Sequence, residues 1–217
     1  MVLAIFDVDQ TVIRGDSLLW FGAFLLKKRW LKIREVPRFI ALSLRYLSGS
    51  ADEGKLKASY LRMLCGEIRI NEMNLLAEEF SNKFLLPRTY QQARDRIRWH
   101  QQQQHAVVLL SASPATYLNA FAKTLEVDAL IATQIEWRDG SLTGDLQGKN
   151  CKGKEKLERL RSAYGNSQVN WKESYYYADS IADLPVFDTV GHPVLVNPDG
   201  KLQRVGFKRQ WRVERWS

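Results

Sequence analysis

The sequence predicts an α/β fold in which a doubly wound parallel sheet is interrupted by an all-helical insertion. Three observations carry that prediction. Short apolar runs end abruptly in polar side chains at Asp7, Ser111 and Asp179. Helical patterns separate those runs, and the long stretch from Asp16 to about Phe84 holds helical patterns alone. Strands that alternate with helices imply parallel βαβ units, which bind ligands at the carboxyl ends of their strands. One sheet would therefore bring Asp7, Ser111 and Asp179 to a common rim.

Val2 to Phe6 is a continuous apolar run, as expected of a strand buried on both faces, and it stops at Asp7. Asp16 is placed to cap a helix carrying Leu18, Leu19, Phe21, Leu25 and Leu26. A second pattern follows at Phe39, Leu42, Leu44 and Leu47, then a break at Ser48-Gly49-Ser50, then helices over Leu56 to Leu64 and Met73 to Phe84. Trp20, Phe21, Phe24 and Trp30 recur at near-helical spacing, as core residues would. This stretch breaks the βα alternation, so it reads as a cap. The expected division is residues 16–84 for the cap, and 1–15 with 85–217 for the core.

After Pro87 a polar helix with Arg94, Ile97 and Trp99 leads into Ala106 to Leu110, a strand expected to stop at Ser111. The run Gln101 to Gln104 between them reads as a solvated turn. A helix begins near Pro114, a strand spans Leu130 to Thr133, and Arg138-Asp139-Gly140-Ser141 has the residues of a hairpin turn. Lys156 to Tyr164 reads as a helix. Tyr175 to Ala178 and Pro193 to Val196 read as strands.

The 217 residues, 45% hydrophobic and 26% charged, suffice for one good core and are too apolar for a disordered chain. Cys65 and Cys151 lack metal-ligand spacing and form no disulfide framework, which fits a reducing cytoplasm. His100, His105 and His192 share no spacing suited to a metal site or a triad. The first apolar run is too short for a signal-peptide core, and no uninterrupted stretch could span a bilayer. A formal charge of +8 invites polyanion binding, but the basic residues are spread and no nucleic-acid-binding signature accompanies them.

The chemistry concentrates in Phe6-Asp7-Val8-Asp9-Gln10-Thr11, where two carboxylates stand two residues apart just past a strand. Read with Val107 to Ser111, with Lys156 in Cys151-Lys152-Gly153-Lys154-Glu155-Lys156, and with Tyr177-Ala178-Asp179-Ser180-Ile181-Ala182-Asp183, this pattern resembles the haloacid dehalogenase superfamily. All four of its motifs occur in order. The helical stretch between the first two is similar to the cap of the phosphoserine-phosphatase-like branch. The resemblance implies a Rossmann-like core and a phosphomonoester phosphatase that works through an aspartyl-phosphate.

In that reading Asp7 is the nucleophile and Asp9 the general acid and base. Thr11, Ser111, Ala112 and Lys156 bind the substrate phosphate. Magnesium, which favours oxygen ligands, suits Asp7, the backbone carbonyl of Asp9, and Asp179. Asp183 either supports the metal's waters or orients Lys156. Lys152 and Lys154 compete for the lysine role; Lys156 is preferred because Leu157 and Leu160 follow it as the apolar face of its helix. Gln10 and Ala182 depart from residues common at those positions, so Gln10 would narrow the pocket floor and Ala182 would delete a hydrogen bond near the phosphate.

The expected partner is a small phosphorylated substrate, with no nucleic acid. Asp16 and Ser17 lie where a cap could meet a substrate amine, although helix capping explains them equally. Two alternatives stand beside the small-molecule phosphatase. One is a peripheral membrane lipid-phosphate phosphatase, since Trp20 to Leu47 is apolar, aromatic and basic like an interfacial helix and would give the cap a weak membrane-surface contact. The other, a basic nucleic-acid-binding module, rests on charge alone.

Overall fold

The computed structural model describes residues 1–30, 32–48, 53–165 and 168–217, so Gly49 and Ser50 of the expected break lie outside the described residues. Strand β1 (Leu3–Phe6) sits between β2 (Ala106–Pro114) and β6 (Tyr175–Ala178). Beyond β2 lies β3 (Ala129–Thr133), and beyond β6 lie β7 (His192–Val196) and β8 (Arg212–Glu214). Every neighbouring pair in this six-stranded sheet is parallel. This is the α/β, Rossmann-like core the sequence predicts. The order of strands reverses between β1 and β6, and such a switch opens a crevice at the carboxyl ends of the two strands. Asp7 and Asp179 follow those ends directly.

Both faces of the sheet are covered, which is why β1 is apolar throughout. Ala4 and Phe6 face one core with Val107, Leu109 and Tyr177; Leu3 and Ile5 face the other with Val108, Leu110 and Tyr176. The first core receives α1 (Ser17–Lys27), α4 (Ile70–Phe80), α5 (Gln91–Gln102) and α6 (Ala115–Thr124); the second receives α7 (Lys154–Tyr164), α8 (Leu184–Phe187) and α9 (Gly200–Arg209). Between α1 and α4 lie α2 (Val36–Leu47) and α3 (Glu53–Cys65). Among the described residues no helix is long and apolar enough to cross a membrane.

Asp16 caps α1 as expected, its Oδ1 accepting from the Leu19 N–H at 3.0 Å, an interaction commonly worth about 1 kcal/mol. Phe21 and Phe24 are buried, with Phe21 packed on Phe80 and Tyr117 at ring-centroid distances of 5.1 and 4.5 Å. Trp20 departs from the expected core: it stands at the surface with the Arg88 guanidinium 4.5 Å from its ring centroid. The first helix also ends at Lys27, and Arg29 turns into the left-handed region at φ 62°, so Trp20 to Leu47 is broken between α1 and α2 and is not one continuous helix.

Strand β2 does not stop at Ser111 but runs to Pro114. A register shift between Ser111 and Pro114 lets it continue, and the Ser113 N–H turns to the Ser111 hydroxyl oxygen at 3.0 Å. The expected turn joins β4 (Ile135–Arg138) to β5 (Ser141–Leu146) with Asp139 and Gly140 both at positive φ, the combination a tight hairpin favours. This hairpin packs on the helical insertion: the Glu67 N–H donates to the Leu142 carbonyl at 2.7 Å, and a Cβ on Gly144 would lie 2.4 Å from the Arg62 Cα. Strand β8 has no counterpart in the sequence reading, being three residues long, polar and at the sheet edge.

Candidate active site

A cavity of about 460 Å³ opens over the carboxyl ends of β1, β2 and β6. Its floor holds Asp7, Asp9, Ser113, Lys156, Asp179 and Asp183; its opposite wall, from α1 to α3, holds Leu18, Leu19, Phe39, Leu56, Lys57 and Tyr60. Gln10, Asp16, Ala112, Lys152 and Ala182 also line it. Thr11 and Ser111 are fully buried and do not line it. Among the described residues the Thr11 hydroxyl has no hydrogen-bond partner, whereas Ser111 is engaged by Ser113.

Lys156 is buried at the first turn of α7, its Nζ 2.7 Å from Asp7 Oδ1 and 2.7 Å from Asp183 Oδ2. Tyr176 completes the arrangement, its hydroxyl donating to Asp183 Oδ2 at 2.8 Å and accepting from Lys156 at 3.3 Å. Burial alone would drive the lysine toward neutrality, yet Asp183 and Asp7 outweigh it and hold the ammonium charged. Asp183 thus holds the Lys156 ammonium together with Asp7. Lys152 instead pairs with Glu53 at 2.5 Å near the surface, and Lys154 is exposed.

Asp9 is gripped from two sides. Its Oδ1 accepts from the Ser17 N–H at 2.6 Å, and its Oδ2 from the Ser113 hydroxyl at 2.7 Å. Burial is the main influence pushing its pKa up, Asp16 adds repulsion, and the two hydrogen bonds pull it partly back. A carboxyl shifted upward can hold a proton in a working range closer to neutral.

The floor carries four carboxylates against one lysine. Burial pushes Asp7 well above the usual range; Lys156 counteracts this, while Asp183, Asp179 and Asp9 add to it. Asp179 is pushed up to about 7, by burial first and then by Asp183. Acids in that state are short of positive charge, and a divalent cation would supply it. Among the described residues no three acidic, histidine or cysteine side chains form a ready cage. The donors at hand, two carboxylates and a backbone carbonyl, are nonetheless of the oxygen type and number that magnesium takes from a protein before completing its shell with water and phosphate.

Ser113, Tyr176 and Lys57 are absent from the sequence reading. Lys57, on α3, crosses to the core and donates to the Ala112 carbonyl at 2.9 Å and Asn150 Oδ1 at 2.7 Å. Cys65 and Cys151 are buried, and burial pushes their thiols up to about 12 and about 11, which makes them poor nucleophiles. His100 lies away from the cavity, buried between His105 at 2.8 Å and the Tyr177 hydroxyl at 3.0 Å.

A solved structure of a protein of unknown function from Bordetella pertussis Tohama I superposes with a TM-score of 0.85 at 28% identity, covering 97% of this chain and 96% of that one. The chain is 28% identical to a phosphoserine phosphatase of Mycobacterium tuberculosis, covering 97% of this chain and 69% of the relative. It is 27% identical to a histidinol-phosphatase of Neisseria meningitidis, covering 97% of each. The family model for haloacid dehalogenase-like hydrolases matches residues 4–188, across β1, the helical insertion, the cavity floor and α7. The chain belongs to the haloacid dehalogenase-like hydrolase family, and is an enzyme whose relatives include phosphatases.

Proposed function

We propose that this hydrolase is a magnesium-dependent phosphomonoester phosphatase that acts on a small phosphorylated metabolite through an aspartyl-phosphate on Asp7. The observation that carries the reading is the buried Lys156 clamp, which fixes one oxygen of Asp7 and holds a cation beside it. Among the described residues the other oxygen of Asp7 makes no hydrogen bond, which suits a group that must attack phosphorus.

In the first half-reaction an Asp7 oxygen bonds to phosphorus, the ester P–O bond breaks, and Asp9 gives its proton to the departing alkoxide. In the second, Asp9 takes a proton from water as the water oxygen bonds to phosphorus. The Asp7–phosphorus bond then breaks, releasing phosphate and restoring the carboxylate. Ser113 serves both halves, because a hydroxyl can donate to ionised Asp9 and accept from protonated Asp9. Lys156 meets the charge on the phosphoryl oxygens. Asp7, the Asp9 carbonyl and Asp179 would hold magnesium, which when bound neutralises phosphoryl charge.

Residues 16–84 act as the cap in this reading, and their apolar wall faces the leaving group. The names of the relatives suggest two first substrates, phosphoserine and histidinol phosphate. The test is phosphate release from a panel of metabolite phosphates. Turnover should vanish in chelator and return with magnesium but not with calcium, whose longer and more numerous bonds would displace the nucleophile. Full turnover after exhaustive chelation would remove the role given to Asp179.

A further inference from the structure

Helix α2 and the turn before it carry an apolar stripe that the fold leaves in water. Ile33, Pro37, Ile40, Leu44 and Leu47 follow one another at steps of four, three, four and three residues, which aligns them along one side of a helix. Ile33 is 78% exposed, Ile40 53%, Leu44 63% and Leu47 80%, and α2 has no buried residue. Its inward side is satisfied separately, with Val36 and Phe39 packed on the core and the Phe39 ring 5.4 Å from that of Tyr60.

Charge decides what the outer side fits. Arg34, Arg38 and Arg45 each follow a stripe residue by one position, so they form a basic border along one edge, with Glu35 and Glu67 beside Arg34. In the sequence Lys27, Lys28 and Arg29 precede this border, and Glu35 is the only acid between Lys27 and Ser48. A second copy seated on the stripe would bring Arg38 against a like-charged border, and among the described residues the acids at this end, Glu35 and Glu67, are taken up by Arg34. A nucleic acid would use the arginines and leave the stripe in water. An apolar stripe with a basic border matches a membrane interface, where side chains enter the acyl boundary and cations meet anionic headgroups.

We propose that the outer side of α2 docks the protein reversibly on anionic lipid surfaces. Phe39, on another side of the same helix, lines the candidate cavity, so docking would bring that cavity near the headgroup layer. The inference concerns the surface alone and is independent of the hydrolytic reading, since binding is measured without substrate.

The experiment is co-sedimentation of the full chain with vesicles of phosphatidylcholine alone and of phosphatidylcholine mixed with phosphatidylglycerol. The protein should sediment with the mixed vesicles and much less with the neutral ones. Leu44→Glu combined with Leu47→Glu should lower the bound-to-free ratio about tenfold or more. Arg38→Glu should lower it about fivefold or more, the factor equivalent to about 1 kcal/mol per basic residue at such a surface. Circular dichroism melts establish that the variants fold, and Ile33→Asp provides a second test if the double variant does not. Three results would overturn the proposal: no sedimentation of the parent protein, equal sedimentation of parent and stripe variants, or a concentration-dependent dimer in light scattering that the stripe variants abolish.

Discussion

The two sides of the cavity are built on opposite principles. The floor is a buried charge network: Lys156, Asp183 and Tyr176 satisfy one another at 2.7 to 3.3 Å, and Asp7 projects from the middle of it. The helical wall is largely apolar, though Asp16 and Glu53 line the cavity too, and its lysine, Lys57, binds a backbone carbonyl and an amide instead of a carboxylate. Low polarity around the floor makes each of its interactions strong and each deletion costly. The wall can change shape or sequence at smaller cost, which is the property wanted where substrates differ and chemistry does not.

Breaking the floor should therefore hurt most. Lys156→Ala leaves Asp183 and Asp7 facing each other without a cation, and a broken buried pair commonly costs about 3–5 kcal/mol. Turnover should fall about a hundredfold or more, as it does when a donor to developing charge is removed. Lys152→Ala and Lys154→Ala should stay within about threefold of the parent, because exposed charges are screened. Kinetics and denaturant melts on the three variants measure the contrast. A larger loss at Lys152 or Lys154 would place the phosphate-facing cation on the loop.

The wall should answer more mildly. Lys57→Ala removes a bond between the helical insertion and the end of β2, and the expected result is a rise in KM of about tenfold with kcat changed less, in line with a charged hydrogen bond of about 1.5 kcal/mol. Equal losses in kcat for Lys57→Ala and Lys156→Ala would erase the distinction between wall and floor.

A third region separates folding from catalysis in any pH profile. Burial holds the His100 pKa down from 6.5 to about 3, so the unfolded chain binds a proton that the folded chain refuses. The sign follows: this contribution is intact above about pH 6.5 and is lost as pH falls from there toward 3, at about 1.4 kcal/mol per unit. His100→Gln should flatten the pH dependence of the melting midpoint below neutrality. An unchanged slope would assign the effect elsewhere.

The floor was largely legible in the sequence because parallel strands buried on both faces are continuous apolar runs, and the side chain that ends such a run stands out. Asp7 after Val2 to Phe6 and Asp179 after Tyr175 to Ala178 are marked in that way. Ser113 escaped because a bulge carries β2 past Ser111, and bulges leave no mark in an apolar run. Tyr176 escaped because its neighbours Tyr175 and Tyr177 look the same; only the register decides which of the three hydroxyls meets Asp183. Lys57 was illegible for a different reason: its partners are a carbonyl 55 residues away and an amide 93 away, a meeting that tertiary packing alone creates. The same holds for the α2 stripe, where periodicity shows one apolar side but not that the fold leaves it in water.

The central claim is that Asp7 carries the phosphoryl group. The direct measurement is acid-quenched mass spectrometry of the protein during turnover, with Asp7→Asn assayed in parallel for phosphate release. The account predicts a phosphate-mass adduct on the peptide containing Asp7, and a folded Asn variant that neither forms the adduct nor turns over, because an amide is a poor nucleophile of nearly the same shape. An Asp7→Asn variant with turnover near the parent's, or an adduct on a peptide without Asp7, would contradict it.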